Sequence, residues 1–210
     1  MGNRCVITTK ENFEKNGVGV YMHWNGGRDS VEPILAYCKM KGYRPPETDC
    51  YGWARLCQVI GNALGGTLSV GIDTVDRLDC DNFDNGVYII KNWEIVDRKY
   101  FDGEEQHEYD FDEMLKGVNE SMPKDEQIDP EYFNAEELPT NMLCIGDTIF
   151  KRDPIYDKIE KCRVVGISDD GVPYIDKYHK DDPASNPNNY LHDSSYRCVV
   201  SDSLIQKVGC

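Results

Sequence analysis

Polar and apolar residues alternate from Arg4 to Thr9, and Val18 to Trp24 is rich in β-formers, with Asn16-Gly17 between the two runs. The opening therefore reads as a β-hairpin. After Asn25-Gly26-Gly27 the period changes from strand-like to helical. Asp29 and Glu32 make a D-x-x-E capping pattern, Pro33 falls in the tolerant first turn, and Val31, Ile34, Leu35 and Cys38 recur at helical intervals until Gly42. Pro45-Pro46 then breaks the chain. Thr48 or Asp49 caps a second helix, in which Trp53, Leu56, Cys57, Ile60 and Leu64 make one apolar stripe closed by Gly65-Gly66. Residues 68–72 and 86–96 read as strands around a polar loop, with Asn85-Gly86 as a hairpin signal. The result is a β-β-α-α-β-β main domain over residues 1–100, with the stripe expected to pack on its sheet.

A third helix is expected from about Asp110 to Asn119, followed by an acidic stretch punctuated by Pro123, Pro130 and Pro139. Residues 101–139 thus read as an acidic helical arm or linker. From Met142 the pattern shortens to strands at 142–151, 162–168, 172–178 and 196–200, with Asp169-Asp170-Gly171 turning a hairpin. Residues 140–210 are accordingly expected to form a small SH3-like β-barrel module, and the fold class is α+β.

Composition adds three constraints. With 210 residues, 40% of them hydrophobic, the chain can bury a core and should fold. No run approaches the length of a membrane span and the N-terminus leads into no apolar leader, so a cytoplasmic protein is expected. Nine cysteines without a C-x-x-C pair suit reduced thiols rather than disulfides or zinc. The charge of −15 is uneven: 15 acidic and 4 basic residues between Asp97 and Leu138 put −11 of it there. Such a segment repels phosphate backbones and attracts basic surfaces.

Candidate chemistry concentrates in Tyr21 to Asp29, where His23, Trp24, Asn25 and Arg28 flank a Gly pair before a helix N-terminus, a place that can hold an anion. The spacing matches no phosphate-loop or dinucleotide fingerprint. Cys50 stands at another helix start, where exposed N–H groups favour a thiolate. The Asp49-Cys50-x-Gly52 opening resembles the nucleophile helix of NlpC-type cysteine hydrolases. That resemblance implies Cys50 as nucleophile with upstream His23 as base, in a permuted arrangement, because strands 68–72 and 86–96 hold no His. Asp73, Asp76, Asp79, Asp81 and Asp84 lack calcium-loop spacing, since Phe83 falls where an oxygen ligand belongs. His179 and His192 lie too far apart for a zinc pair. No metal and no cofactor are expected.

Met-Gly-Asn-Arg at the start, Gly-Val-Tyr-x-His-Trp-Asn-Gly-Gly-Arg-Asp-Ser-Val from Gly19 and Tyr-Gly-Trp-Ala-Arg-Leu-Cys-Gln-Val-Ile from Tyr51 resemble a set of small proteins encoded by bacteriophages and prophages. The resemblance covers about the first 100 residues and implies a phage origin. By analogy with other small acidic phage proteins, it suggests an inhibitor of host defence of the anti-CRISPR kind. The expected partner is a Cas-like nuclease with a basic groove, entered by the carboxylates Glu104, Glu105, Glu108, Asp110, Asp112 and Glu113. A cysteine hydrolase and a protein that sequesters a nucleotide signal are the competing expectations.

Overall fold

The computed structural model describes residues 3–136, 142–152, 159–169, 171–177 and 196–199. His179 and His192 lie outside them. The chain is a mixed α+β protein with two five-stranded sheets, one in each of two compact units, Met1–Gln127 and Ile128–Cys210. No helix among the described residues is long and apolar enough to cross a membrane.

In the first unit, β1 (Cys5–Thr9), α1 (Lys10–Lys15), β2 (Val18–Met22), α2 (Arg28–Met40), α3 (Cys50–Ala63), β3 (Val70–Thr74), β4 (Val87–Lys91), β5 (Glu94–Lys99) and α4 (Phe111–Glu120) follow in order. The sheet order is β3-β2-β1-β4-β5. The central strand, β1, is buried along its whole length. It pairs antiparallel with β2, as the hairpin reading required, but α1 intervenes. Thr9 caps that helix through Oγ1, which accepts from Asn12 N–H at 3.2 Å, and Asn16 closes it in the left-handed region at φ 53°. Asn16-Gly17 thus ends a helix instead of turning a hairpin. The helix itself drops Phe13 onto the outer apolar face of the sheet, against Val6, Val87 and Ile89, where Leu78 and Cys80 also pack.

Two further expectations change. The run 86–96 is not one strand: Asn92 and Trp93 both take positive φ, 51° and 62°, the pairing a tight two-residue hairpin between right-twisted strands demands. A tryptophan tolerates that conformation here because its indole is buried and its Nε1–H donates to the Tyr43 carbonyl at 2.7 Å. Nor does β4 pair with β3. It lies parallel to β1, Val6 opposite Val87 and Thr9 opposite Ile90, on the other side of the sheet centre. The main-domain order is therefore β-α-β-α-α-β-β-β.

The apolar face of α3 is rotated from the expected stripe. Leu56, Val59 and Ile60 are buried with Gly52 and Gly61, while Trp53, Cys57 and Leu64 are only half-buried. Its main neighbours are α2 and α4. Gly52 sits where Pro45-Pro46 crosses the helix start, and a Cβ there would come within 2.5 Å of Pro46 N. Close backbone approach accounts for this glycine.

Residues 101–127 belong to the first unit and dock on it at several points. Leu115, Val118 and Met122 are buried. The carbonyl of Glu126 accepts from Tyr37 Oη at 2.5 Å and its carboxylate from Tyr43 Oη at 2.8 Å. Burial and the adjacent Glu126 carboxylate push the Tyr43 phenol up to about 12.

In the second unit, β6 (Ala135–Glu136), β7 (Thr148–Arg152), β8 (Ile159–Ile167), β9 (Pro173–Lys177) and β10 (Tyr196–Val199) form an antiparallel sheet of order β6-β10-β7-β8-β9. Among the described residues this sheet is open and no closed barrel of the kind expected of residues 140–210 is formed. Phe150, Cys162, Val164 and Ile175 make its core, and Tyr132 packs edge-on against Phe150 with ring centroids 5.8 Å apart.

Leu56, fully buried, and Leu68, fully exposed, provide a test of this packing. Leu56→Ala is expected to lose about 2 to 5 kcal/mol of unfolding free energy. Leu68→Ala should stay within about 0.5 kcal/mol. Denaturant titration of the two variants checks it, and similar losses in both would displace α3 from the core.

Candidate functional site

The loop after β2 is shaped by close backbone contact. Asn25 takes φ 57°, and Gly26 donates its N–H to the Asn3 carbonyl at 2.7 Å, so near to β1 that a Cβ would lie 2.7 Å from Cys5 N. Only glycine fits there, and the chain then enters α2 with Gly27 as its N-cap and no side-chain cap. His23 and Trp24 stay exposed on the loop, ring centroids 4.9 Å apart and edge to face. The imidazole Nδ1 lies 3.0 Å from Tyr21 Oη.

Arg28, the first residue of α2, turns away from these rings into a network of ions. Its Nε and Nη2 donate to the two carboxylate oxygens of Glu32 one turn on, each at 3.1 Å, and its Nη1 reaches Glu105 Oε1 at 3.1 Å. Tyr109 Oη donates to Glu32 as well. Glu105 is shared: Arg98 Nη1 donates to its two oxygens at 2.8 and 3.0 Å. Arg98 stands opposite Tyr88 in the β4–β5 register, so the two side chains share a face. The guanidinium lies 3.9 Å from the Tyr88 ring centroid and 3.8 Å from that of Phe101, between two aromatic rings, and Nη2 donates to the Asn85 carbonyl.

The pKa shifts follow from this geometry. Hydrogen bonding to Glu32, reinforced by Glu105, raises Arg28 above the usual arginine range. Burial works against the ionised form of Glu32, but the hydrogen bonds from Arg28 and Tyr109 outweigh it and hold its carboxyl below the ordinary range. Burial, then the hydrogen bond to Glu32, raises the Tyr109 phenol.

The candidates named from sequence thus separate into groups. His23 and Trp24 are exposed neighbours, whereas Arg28 is committed to two carboxylates and contributes no free charge beside them. Cys50 is an exposed thiol at the first position of α3, capped by Asp49, whose Oδ1 accepts from Tyr51 N–H at 2.7 Å. No hydrogen bond among the described residues joins its sulfur to His23. Of the six acidic candidates, Glu104, Glu108, Asp110, Asp112 and Glu113 are exposed, and Asp110 caps α4 by accepting from Glu113 N–H at 2.9 Å. Glu105 instead is 24% exposed and ion-paired. In the loop 79–85, Asp84 is occupied by Arg4 at 2.6 Å, and the buried Asn82 amide organises the turn by bonding Asp79, Asp84 and Gly86 backbone groups.

A groove of about 540 Å³ is lined by Asn25, Ile34, Leu64, Glu113, Lys116 and Val118. Sequence reading missed Arg98, Tyr88, Phe101 and Tyr109 altogether. The one available signal was Glu32 four residues after Arg28 on a helix, the spacing of an intrahelical ion pair. No protein-family model, curated protein or solved structure matches the chain.

Because its carboxyl is held low, Glu32 adds stability that is present above its unfolded pKa of about 4.3 and lost as pH falls through the lower folded value. Glu32→Gln should therefore melt at lower temperature than wild type at neutral pH, and the gap should narrow on acidification below about pH 4. Melting curves followed by circular dichroism across that range decide it. Parallel curves at all pH values would remove Glu32 from the network.

Proposed function

We propose that the chain is a phage-derived, non-enzymatic binding protein acting in the host cytosol, where its acidic segment enters the basic nucleic-acid channel of a defence nuclease, in the manner of an anti-CRISPR inhibitor. The observation that carries this reading is the division of labour within residues 101–113. Glu105 and Tyr109 point inward and tie the segment to α2 and β5, which leaves Glu104, Glu108, Asp110, Asp112 and Glu113 outward and exposed on anchored backbone. A row of carboxylates on an anchored scaffold can replace phosphates against lysines and arginines and displace the same counterions. Anchoring also reduces the entropy lost when a partner is bound. The second unit, read as an SH3-like module on the antiparallel order β10-β7-β8-β9, would add a docking surface.

The reading predicts which charges matter. Glu104→Gln, Glu108→Gln, Asp110→Asn, Asp112→Asn and Glu113→Gln together should keep the fold, since Asn also caps helices well. They should weaken binding to a nuclease captured from a defence-carrying lysate, mainly through slower association, and flatten its salt dependence. Titration of both proteins at two salt concentrations checks this. Equal affinities and equal salt slopes would reduce the charge to a solubilising role.

A further inference from the structure

The groove is lined from three helices: α2 through Ser30 and Ile34, the end of α3 through Ala63 and its cap Leu64, and α4 from Glu113 to its cap Ser121. Ile34 and Val118 are buried and Met114 is half-buried, whereas Glu113, Lys116 and Glu120 are exposed. An apolar interior therefore opens to water past a charged margin. Its volume, about 540 Å³, is that of a ligand-binding cleft.

Gly117, on the α4 wall, has no use within the fold. Three glycines lie inside the helices of the first unit. Gly52 is crowded by Pro46, and a Cβ at Gly61 would come within 2.9 Å of Thr67 Cγ2, so close approach accounts for both. At Gly117 a Cβ would meet nothing within 4 Å. Glycine weakens a helix relative to alanine, and α4 gives up that stability without gaining a contact of its own. What the missing side chain leaves is room in the groove, down to the α4 backbone.

The field in the groove is negative. Glu113 and Glu120 line it seven residues apart, about 10 Å along the axis, and Lys116 offsets one of them. Leu64 and Ser121 place the C-terminal ends of α3 and α4 there, each the negative pole of its helix. A second copy, itself at −15, would be repelled. The complementary occupant is apolar and cationic. Seven residues is also the interval at which a helix lying along α4 returns a side chain to the same face, with its apolar anchors midway at i+3 and i+4.

We propose that this groove binds a basic amphipathic helix of a protein partner, which lays a large apolar side chain over Gly117 and directs lysines or arginines to Glu113 and Glu120. The inference shares only Glu113 with the acidic face that would enter a nuclease, and it stands whether or not that face does.

The test uses the full chain and a synthetic helical peptide of leucine, lysine and alanine, with leucines at i, i+3, i+4 and i+7, set against an isomer whose leucines are scattered around the helix. Fluorescence anisotropy at fixed ionic strength should show the amphipathic peptide binding at least about tenfold more tightly, since charge alone cannot separate the two. Gly117→Leu fills the groove from a position with free space and should bring the amphipathic peptide down to the affinity of the isomer. Gly117→Ala should raise the melting temperature. Glu113→Gln with Glu120→Gln should flatten the salt dependence of binding. In wild type the peptide should slow amide exchange across 113–121, a readout that needs no variant to fold. Equal affinity of the two peptides, wild-type affinity in Gly117→Leu, a lower melting temperature in Gly117→Ala, an unchanged salt slope or unchanged exchange across 113–121 would overturn the proposal. So would octylamine matching the peptide in affinity, which assigns the groove to a small amphipathic amine, or a dimer that the peptide dissociates in sedimentation, which assigns it to a second copy.

Discussion

The placement of residues 100–110 in the first unit depends on how the charge of Arg98 is met. The residue belongs to a strand whose partner across the ladder is the buried Tyr88, and its side chain is 12% exposed. An arginine cannot shed its proton to escape such a place, and an unpaired buried charge costs several kcal/mol in order-of-magnitude terms. Two aromatic faces lower that cost, but a counter-ion is still required. The chain supplies Glu105, reached by folding residues 100–105 back over the sheet. Once Glu105 is there, Arg28 and Glu32 become part of the same network, and Tyr109 closes it. The arm is thus positioned by an electrostatic demand from within the sheet.

That constraint explains how a segment carrying most of the net charge can be structured at all. Fifteen acidic residues against four basic ones would repel one another along a free chain. Docking divides them: Glu105 and Glu126 satisfy donors on the body, Asp110 caps a helix, and Glu104, Glu108, Asp112 and Glu113 are exposed to water, where screening weakens their repulsion. Apolar contacts through Leu115, Val118 and Met122 offset what repulsion is left and give α3 the partner that rotates its buried face.

How much of this was legible in the sequence follows from the range of each signal. Periodicity located β1, β2, α2, α3 and α4 because it is local and each element shows its own buried face. The six residues of α1 were missed because so short a helix has no period to show, and Asn16-Gly17 is turn chemistry and helix-ending chemistry alike. Asn92-Trp93 hid the β4–β5 turn because tryptophan is a strand former, and its positive φ is tolerated only through packing and the Tyr43 carbonyl. The parallel pairing of β1 with β4 is a long-range choice with no local mark. For the site, the cluster from His23 to Arg28 stood out as polar chemistry at a helix start, yet its anion-binding sense depended on Arg28 being free. One of the two partners that take it is Glu32, a turn on, and the other lies 77 residues away, in a segment whose composition suggested solvent exposure throughout.

Two kinds of carboxylate that are alike in composition differ in the fold. On an acidic surface, each exposed side chain contributes through a screened field, so one can replace another at little cost in energy. Glu105 is different in kind. It is held by two guanidinium groups, and its removal would take the Glu105 carboxylate from Arg98 and leave Arg28 to Glu32. A surface built this way keeps its outer charges free to vary, while the inner one fixes where the surface is. The electrostatics that a partner meets and the electrostatics that hold the fold together therefore lie on opposite sides of one short segment, and any event that changes the inner pairing must also move the outer face.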